Sequence, residues 1–354
     1  MKTPSIESAR LKKQPPRGVA IIMVILMIAI AMTVLMALSD STYVAMRLNS
    51  AAERRVKAEY ILKSAVNVAL VLIENDRNEI DDPLKDDWLK FTQGLEAPGE
   101  LLGLSEPGVR VSLLIASEQG KIPLLRLKDT GTPGNPSPDA AKWADVMLLL
   151  LQNLGMGQRQ SSGGQPPAPP EQLVANLVDY IDTNEENFTY KNFQGSESSL
   201  PDGQKFRNEG KIESVASELS SIPGWTPDVV QAVIPFVSAS DFQKVNLNSA
   251  PPQVLMALDA QVTQQAAEQI VQARDPVGGV PYTSAFATEL TAQVGSAIAD
   301  AIIPKVTNTG KIFEVIAKVE YGGSTYMASA TINKSPKPGA GGGSGPKIES
   351  LLLY

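Results

Sequence analysis

Residues 17–38 read RGVAIIMVILMIAIAMTVLMAL, in which Arg17 and Gly18 precede an uncharged run of about twenty residues, Val19–Leu38. A run of this length can cross the roughly 30 Å hydrocarbon core of a membrane as one helix. Basic residues dominate the segment before it, against the single acid Glu7: Lys2, Arg10, Lys12, Lys13 and Arg17. The positive-inside rule therefore predicts a cytoplasmic N-terminus, with everything after Leu38 on the far side.

The pattern predicts that the helix continues beyond the membrane, because no Gly or Pro occurs between Val19 and Leu72. The apolar run is also longer than the core of a cleaved secretory signal, which favours a retained helix. An apolar stripe follows at helical spacing, with charged residues between its members: Val44, Leu48, Ala52, Val56, Tyr60, Ile61, Ala65, Val68 and Leu72. We expect the first half of this helix to lie in lipid and the second half to pack along a globular domain through the stripe.

Composition excludes several classes of chemistry. The chain has 354 residues, a net charge of −7, no cysteine and no histidine. Disulfides, thiolate sites and histidine-based catalysis are therefore impossible, which leaves carboxylates or lysine for any enzyme. An acidic chain is also a poor match for nucleic acid, whose phosphates need a basic face. We expect neither an enzyme nor a nucleic-acid partner.

The order of elements predicts an α+β fold. Residues 76–107 are expected to form a loop. Strands are predicted at Val109–Ala116 and Lys121–Leu127 joined by a turn, at Lys311–Tyr321 and Thr325–Lys334 joined at Gly322-Gly323, and at Ile348–Tyr354. Because an isolated hairpin is only marginally stable, all of these strands are placed in one antiparallel sheet on the long helix.

A helical block interrupts the strands, between Pro/Gly-rich linkers at residues 131–138 and 158–170. Helices are predicted at Ala140–Leu154, Glu171–Asp182, Ile212–Ser220, Pro227–Val237, Pro251–Leu258, Thr263–Arg274, Tyr282–Thr291 and Gly295–Ala301. The predicted domains are residues 1–18 (leader), 19–38 (transmembrane half of the long helix), 39–137 (first part of the helix-and-sheet domain), 138–306 (helical insertion) and 307–354 (closing strands).

Arg17-Gly18-Val19 ahead of a hydrophobic helix resembles the class III leader of type IV pilin-like proteins. The resemblance implies that a prepilin peptidase cuts between Gly18 and Val19 and that Val19 is then N-methylated. Most members of that family carry Glu at mature position five, which is Met23 here. A carboxylate in a bilayer is costly without a partner, which the resemblance supplies as the terminal amine of a neighbouring subunit. Met23 therefore indicates a subunit at the end of a filament, or else a protein that is no filament subunit.

The segment Lys244–Leu255, KVNLNSAPPQVL, is the most specific stretch. Asn248 or Ser249 is expected to cap the helix that Pro251 or Pro252 opens. With Leu177–Asp182 and Lys211–Trp225, it resembles the largest minor pseudopilin of type II secretion, the GspK family. The resemblance covers nearly the whole chain. It implies a pilin-like long helix packed on a small antiparallel sheet, with an all-α, SAM-like or helix-hairpin-helix-like insertion.

By the same resemblance, the chain is a single-pass protein of the bacterial inner membrane with its bulk in the periplasm. It would sit at the tip of the pseudopilus, prime assembly and support protein export across the outer membrane. The implied partners are the minor pseudopilins of the I and J types, the major pseudopilin, the inner-membrane assembly platform and the prepilin peptidase. Secreted cargo and the outer-membrane secretin are further candidates.

Three alternatives stay open: a minor pilin of a related type IV pilus system, a competence-type DNA receptor, and a generic single-span periplasmic protein. The DNA alternative rests on the similarity of the same stretch to a helix-hairpin-helix module. Such modules grip phosphate through glycine-rich turns, whereas the expected turn here, residues 259–263, has no glycine and begins with Asp259. We therefore interpret it as a structural hairpin.

Oxygen-bearing side chains are densest at Asp179, Asp182, Asn184, Glu185 and Glu186. Carboxylate and amide oxygens are the ligands that Ca²⁺ prefers, and the family resemblance implies a calcium site near here. A solvated acidic loop after a helix explains the same residues equally well.

Overall fold

The structure is a computed structural model that describes residues 17–76, 86–92, 94–98, 108–131, 136–157, 168–184, 186–196, 210–212, 214–274, 281–334 and 345–354. The chain divides into two compact units, Met1–Ala58 and Glu59–Tyr354. Most of the two predicted linkers lies outside the described residues, and the predicted domain boundaries remain predictions.

The helices begin with one continuous element, as the absence of Gly and Pro predicts. They are α1 Arg17–Asn75, α2 Pro138–Asn153, α3 Pro170–Ile181, α4 Val215–Leu219, α5 Pro227–Val233, α6 Pro252–Leu258, α7 Gln264–Ala273, α8 Phe286–Val294 and α9 Ser296–Ile302. The helices of the block begin and end within four residues of the predicted positions, and the largest shifts are at the end of α5 and the start of α8.

The strands are β1 Leu95–Pro98, β2 Arg110–Ser117, β3 Ile122–Pro123, β4 Thr189–Tyr190, β5 Phe193–Gln194, β6 Val237–Ser238, β7 Val245–Asn246, β8 Val306–Thr307, β9 Ile312–Tyr321, β10 Ser324–Asn333 and β11 Lys347–Leu353. Five of them form one antiparallel sheet in the order β1-β2-β9-β10-β11. The central neighbours β2 and β9 are far apart in sequence, because the helical block is inserted between them.

One face of this sheet and one stripe of α1 are buried. Along β2 and β9 every second residue is buried, for example Ile115 opposite Val315 in the register. On α1 the buried stripe is Leu62, Val66, Ala69 and Ile73, whose spacing is that of one helix face. The long helix packed on a small antiparallel sheet, an α+β pilin-like fold, is therefore confirmed.

The stripe predicted from the sequence is wrong by about one residue. Val44, Leu48, Val56 and Tyr60 are exposed, and so is Val68. Residues 60–73 are apolar on more than one face, so two stripes fit the same helical period and the sequence does not distinguish them. Among the described residues, these apolar side chains of α1 are therefore exposed.

The C-terminal end of α1 is held to the sheet by Asp76, which is almost fully buried. Its Oδ2 accepts a hydrogen bond from Trp88 Nε1 at 3.3 Å and pairs with Lys334 Nζ, just after β10, at 2.6 Å. The Trp88 ring meets Phe313 of β9 edge-on at 4.8 Å. The residues before β2, expected to be loop, therefore include this anchor and the edge strand β1.

The predicted strand Lys121–Leu127 is wrong. Residues Glu118–Gly120 form a 3-10 turn, only Ile122–Pro123 is extended, and Leu124–Leu127 form a second 3-10 turn. Instead of pairing with β2, β3 pairs in parallel with β6. Pro123 has no N–H to donate to a hairpin ladder, and the partner strand lies more than a hundred residues away, where local periodicity gives no signal.

The helical block contains a repeat. Twice a short helix leads through a 3-10 turn with Ile-Pro into a two-residue strand: α5, Ile234–Phe236 and β6, then α9, Ile303–Lys305 and β8. Each strand pairs in parallel with one that follows a lysine, β3 after Lys121 and β7 after Lys244. The block is thus two successive closed loops, whose buried side chains form one continuous core.

Candidate functional site

The first candidate site is the start of α1. Gly18 and Val19 lie in its first turn, and the basic leader residues 1–16 lie outside the described residues. Met23 is 61% exposed among equally exposed apolar neighbours. This helix is long and apolar enough to span a membrane, which fits a single-pass anchor.

The exposed apolar face of α1 continues past the membrane segment. Val44, Leu48 and Val56 are each more than half exposed, and Tyr43 carries Arg47 above its ring at 4.8 Å. Large exposed apolar side chains in a regular row are typical of an interaction surface rather than of a solvated helix. We call Tyr43, Val44, Leu48 and Val56 the open face of α1.

The specific stretch around Asn248 forms a hydrogen-bonded hub. Asn248 Oδ1 accepts from the Tyr282 N–H at 2.8 Å, and its Nδ2 donates to the carbonyls of Tyr282 and Asn308, each at 3.2 Å. Asn308 Nδ2 in turn donates to the Thr283 carbonyl at 2.7 Å. The hub therefore ties the segment before α6 to the segment before α8 and to the exit from β8.

The prediction that Asn248 or Ser249 caps a helix is wrong. The residue before α6 is Pro251, and no side chain caps this helix. The Asn248 amide faces partners 34 and 60 residues away, which local capping rules do not reach. Arg274, after α7, donates to the Leu247 and Ala250 carbonyls and so closes the same turn.

Tyr282 completes the hub with a buried ring. Burial raises the pKa of its hydroxyl to about 12, because the phenolate loses hydration in an apolar site. The ring is therefore neutral throughout the physiological range. The hydrogen bonds of the hub therefore explain the specific sequence of this stretch by loop closure.

The contacts of the turn at residues 259–263 differ from those of a phosphate-binding hairpin. Asp259 accepts from the Gln261 N–H at 3.1 Å and pairs with Lys305 at 3.6 Å. Thr263 caps α7 by accepting from the Ala266 N–H at 3.2 Å. The Asp259 carboxylate repels phosphate at this turn, and Lys305 is already paired with it.

The acidic cluster lies at the end of α3. Asp179 and Asp182 are almost fully buried; Asp179 Oδ1 accepts from the Phe188 N–H at 2.6 Å, and Asp182 Oδ2 from Asn184 Nδ2 at 3.0 Å. Asn184 Oδ1 accepts from the N–H of exposed Glu186 at 2.8 Å, and Glu185 lies outside the described residues. Where the structure describes the chain, no three acidic side chains converge on one point, so calcium stays a prediction.

Comparisons with known proteins agree with this architecture. Residues 245–302, which contain Asn248, Tyr282 and helices α6–α9, match the model of the family described as type II secretion system (T2SS), protein K. A chain in the crystal structure of the GspK-GspI-GspJ complex from the enterotoxigenic Escherichia coli type 2 secretion system shares the fold, with a TM-score of 0.62. Over residues 245–302 the chain is therefore similar to the protein K family of type II secretion, and its fold is similar to that of the solved chain.

The structural match covers 86% of this chain and 99% of the other at 13% sequence identity. The fold is therefore retained where most side chains differ. The comparison with curated proteins gives no match. The family model supports the predicted resemblance over residues 245–302, and the structural match confirms the predicted fold.

The hub generates a stability prediction. Asn248→Ala removes three hydrogen bonds and leaves the Tyr282 N–H without its acceptor, so the free energy of unfolding should fall by about 3 kcal/mol. Urea unfolding of the full chain in detergent, followed by tryptophan fluorescence, measures this. Asn153→Ala, at an exposed helix end, is the matched control and should change stability by less than about 0.5 kcal/mol. Equal losses in the two variants would contradict the role of the hub.

Proposed function

We propose that the chain caps the tip of the type II secretion pseudopilus, where it primes assembly and supports protein export across the outer membrane. The observation that carries the proposal is Met23, since no charged side chain occurs between Arg17 and Asp40. A subunit inside the filament would have a neighbour whose terminal amine a carboxylate could pair with. A subunit at the tip has no neighbour ahead, and an apolar residue there avoids an unpaired buried charge.

The helical block supports the same position. Its core runs continuously from β3 to β8, so the block is a bulky element carried beside a small sheet. A thin filament built from packed α1 helices has no room for it in the interior. At the tip it can face secreted cargo or the outer-membrane secretin, which we include as proposed partners.

Processing is the proposed first step. The prepilin peptidase of the inner membrane would cut between Gly18 and Val19, and Val19 would be N-methylated. Before cleavage α1 serves as the anchor, with the bulk of the chain in the periplasm. After cleavage the assembly platform would transfer it into a filament of the major pseudopilin.

The proposed direct partners are the minor pseudopilins of the I and J types. The open face of α1 supports this, because it is an apolar surface of a helix that outlasts the membrane segment. Burial of such side chains contributes about 25 cal/mol per Å² of apolar surface. A row of apolar residues on a partner helix would cover the open face without leaving a buried charge.

Co-purification tests the partner assignment. The full chain, tagged and co-expressed with its I-type and J-type pseudopilins, should retain both in detergent. Leu48→Lys places a charge in the open face and should reduce recovery of both partners by about tenfold or more. Leu352→Lys, which changes another exposed leucine on β11, is the control and should leave recovery unchanged.

Three outcomes would contradict the proposal. The first is failure of the wild-type chain to retain either partner, and the second is an equal loss in the two variants. The third is tight DNA binding by the full chain at physiological salt, which would favour the competence-type receptor. Exclusive recovery with pilins of a pilus system would instead assign the chain to that system.

We further propose that Asp179 and Asp182 supply ligands to a Ca²⁺ ion. Two buried carboxylates within one helical turn fit a hard cation, although Ca²⁺ takes six to eight oxygens. Glu185, backbone carbonyls and water would have to supply the others, since Asn184 Oδ1 is used within the loop. Bound cation would fix the loop between α3 and β4.

Calcium dependence has a direct test. Asp182→Ala should lower the melting temperature of the full chain when Ca²⁺ is present and leave it nearly unchanged in chelator. Loss of one charged ligand removes the stabilisation that binding gives the folded state, which grows with ligand concentration. Asp87→Ala, in an exposed ion pair with Lys90, is the control. An equal loss from Asp182→Ala with and without Ca²⁺ would show that the carboxylate is only structural.

A further inference from the structure

Two connections join the helical block to the sheet, and they meet at one place. The first leaves β2 through the 3-10 turn Glu118–Gly120 and enters β3, while the second leaves β8 and enters β9. Gln119 Oε1 accepts from the Lys311 N–H and so links them directly. Gly120 lies against the chain before α6, where an added Cβ would stand 2.7 Å from the Ser249 carbonyl oxygen. We call this place the junction.

Three charged side chains occupy the junction. Lys121 Nζ donates to Glu118 and, at 2.8 Å, to Glu314 Oε2 of β9. The hydroxyl of buried Ser238, in β6, lies beside Glu118. Glu118 is only 7% exposed. It lies between β2 and β3, beside Ser238 of β6, and is linked through Lys121 to Glu314 of β9.

The cluster carries one more negative charge than positive. Within the described residues, the charged groups that act on Glu118 are Lys121 and Glu314; its other neighbours Gln119 and Ser238 are neutral. Lys121 balances one carboxylate, so ionising both leaves a buried charge without a counterion, which is costly in a low dielectric. With Glu118 neutral, the Lys121–Glu314 pair is balanced and the Glu118 carboxyl retains its hydrogen bonds.

We propose that Glu118 is a proton switch, which tightens the junction between the helical block and the sheet when it is protonated and loosens it when ionised. The packing of the helical block against the sheet then depends on the pH of the compartment that contains the block. The geometry provides the means, because one carboxyl group contacts both connections of the block and the sheet. The proposal is independent of where the chain sits in a filament.

The direction of the effect follows from linkage. Burial raises the pKa of Glu118 above its ordinary value, and Lys121 offsets only part of this. Burial also raises the pKa of Glu314, but the charge and hydrogen bond of Lys121 outweigh it and the net shift is downward. In the window between the ordinary carboxyl pKa and the raised pKa of Glu118, the folded chain holds more protons than the unfolded chain. Stability therefore falls as the pH rises through this window and is recovered on acidification.

The test compares wild-type full chain with Glu118→Gln in detergent micelles between pH 8 and pH 5. Gln keeps the shape and hydrogen bonds of neutral Glu118, so at pH 8 the variant should melt higher by about 2–4 °C. The difference should become smaller as the pH falls, because a smaller fraction of Glu118 is then ionised. Hydrogen exchange at the Ile122 and Val237 amides should slow on acidification, relative to the intrinsic rate, in the wild type alone.

Two further variants make the result specific. Glu314→Gln leaves a balanced Glu118–Lys121 pair and should abolish the pH dependence of the junction between pH 8 and pH 5. Glu349→Gln, an exposed carboxylate on β11, should follow the wild type. A difference between wild type and Glu118→Gln that is the same at pH 8 and pH 5 would overturn the proposal. A wild-type chain that melts higher than Glu118→Gln at pH 8 would also overturn it.

Discussion

Burial of one stripe of α1 against one face of the sheet is the constraint on which the rest of the fold depends. The stripe Leu62, Val66, Ala69 and Ile73 covers one face of the sheet. The strands of this sheet come from before the helical block (β1 and β2) and from after it (β9 to β11). Burial of each of the three larger side chains, Leu62, Val66 and Ile73, contributes roughly 1.5–3 kcal/mol. Without the helix the sheet would expose its apolar face, and the β2–β9 ladder that joins the two strand groups would lose the core that covers it.

The insertion of the block between β2 and β9 has a mechanical consequence. Because both connections emerge at the same end of the neighbouring strands β2 and β9, the block can be large without disturbing the strand order. The free-energy cost of burying charge and packing backbones closely falls on the junction. There Gly120 permits a close backbone approach, and three charged side chains share a buried space. The internal repeat serves the same end, since each loop of the block closes on itself with a two-strand parallel bridge.

Sequence reasoning succeeded where the signal is local. The absence of Gly and Pro predicts the single helix α1, and alternation predicts β2, β9 and β10. It failed where the deciding contact is distant: β3 pairs with β6, and Asn248 bonds to Tyr282 and Asn308 instead of capping α6. The α1 stripe failed for another reason, because the helix is apolar on several faces and only the sheet selects one.

The functional residues divide in the same way. The proposed leader motif and Met23 can be found from the sequence because they are linear patterns. The repeated Ile-Pro turn before Val237 and Val306 is also a linear pattern, but hydrophobic periodicity does not reveal it. The Glu118–Lys121–Glu314 cluster was not predictable, since Glu314 lies on a strand that only the folded chain brings near. The acidic residues around Asp179 have a recognisable composition, but ligand geometry depends on how the loop to β4 folds.

The central claim is that α1 serves first as a membrane anchor and then, after processing, as a packing helix of the filament. Mass spectrometry of the N-terminus of the chain recovered from assembled pseudopili tests it most directly. The account predicts a chain that begins at Val19 and carries one added methyl group. An intact leader beginning at Met1, in cells with active prepilin peptidase, would contradict it.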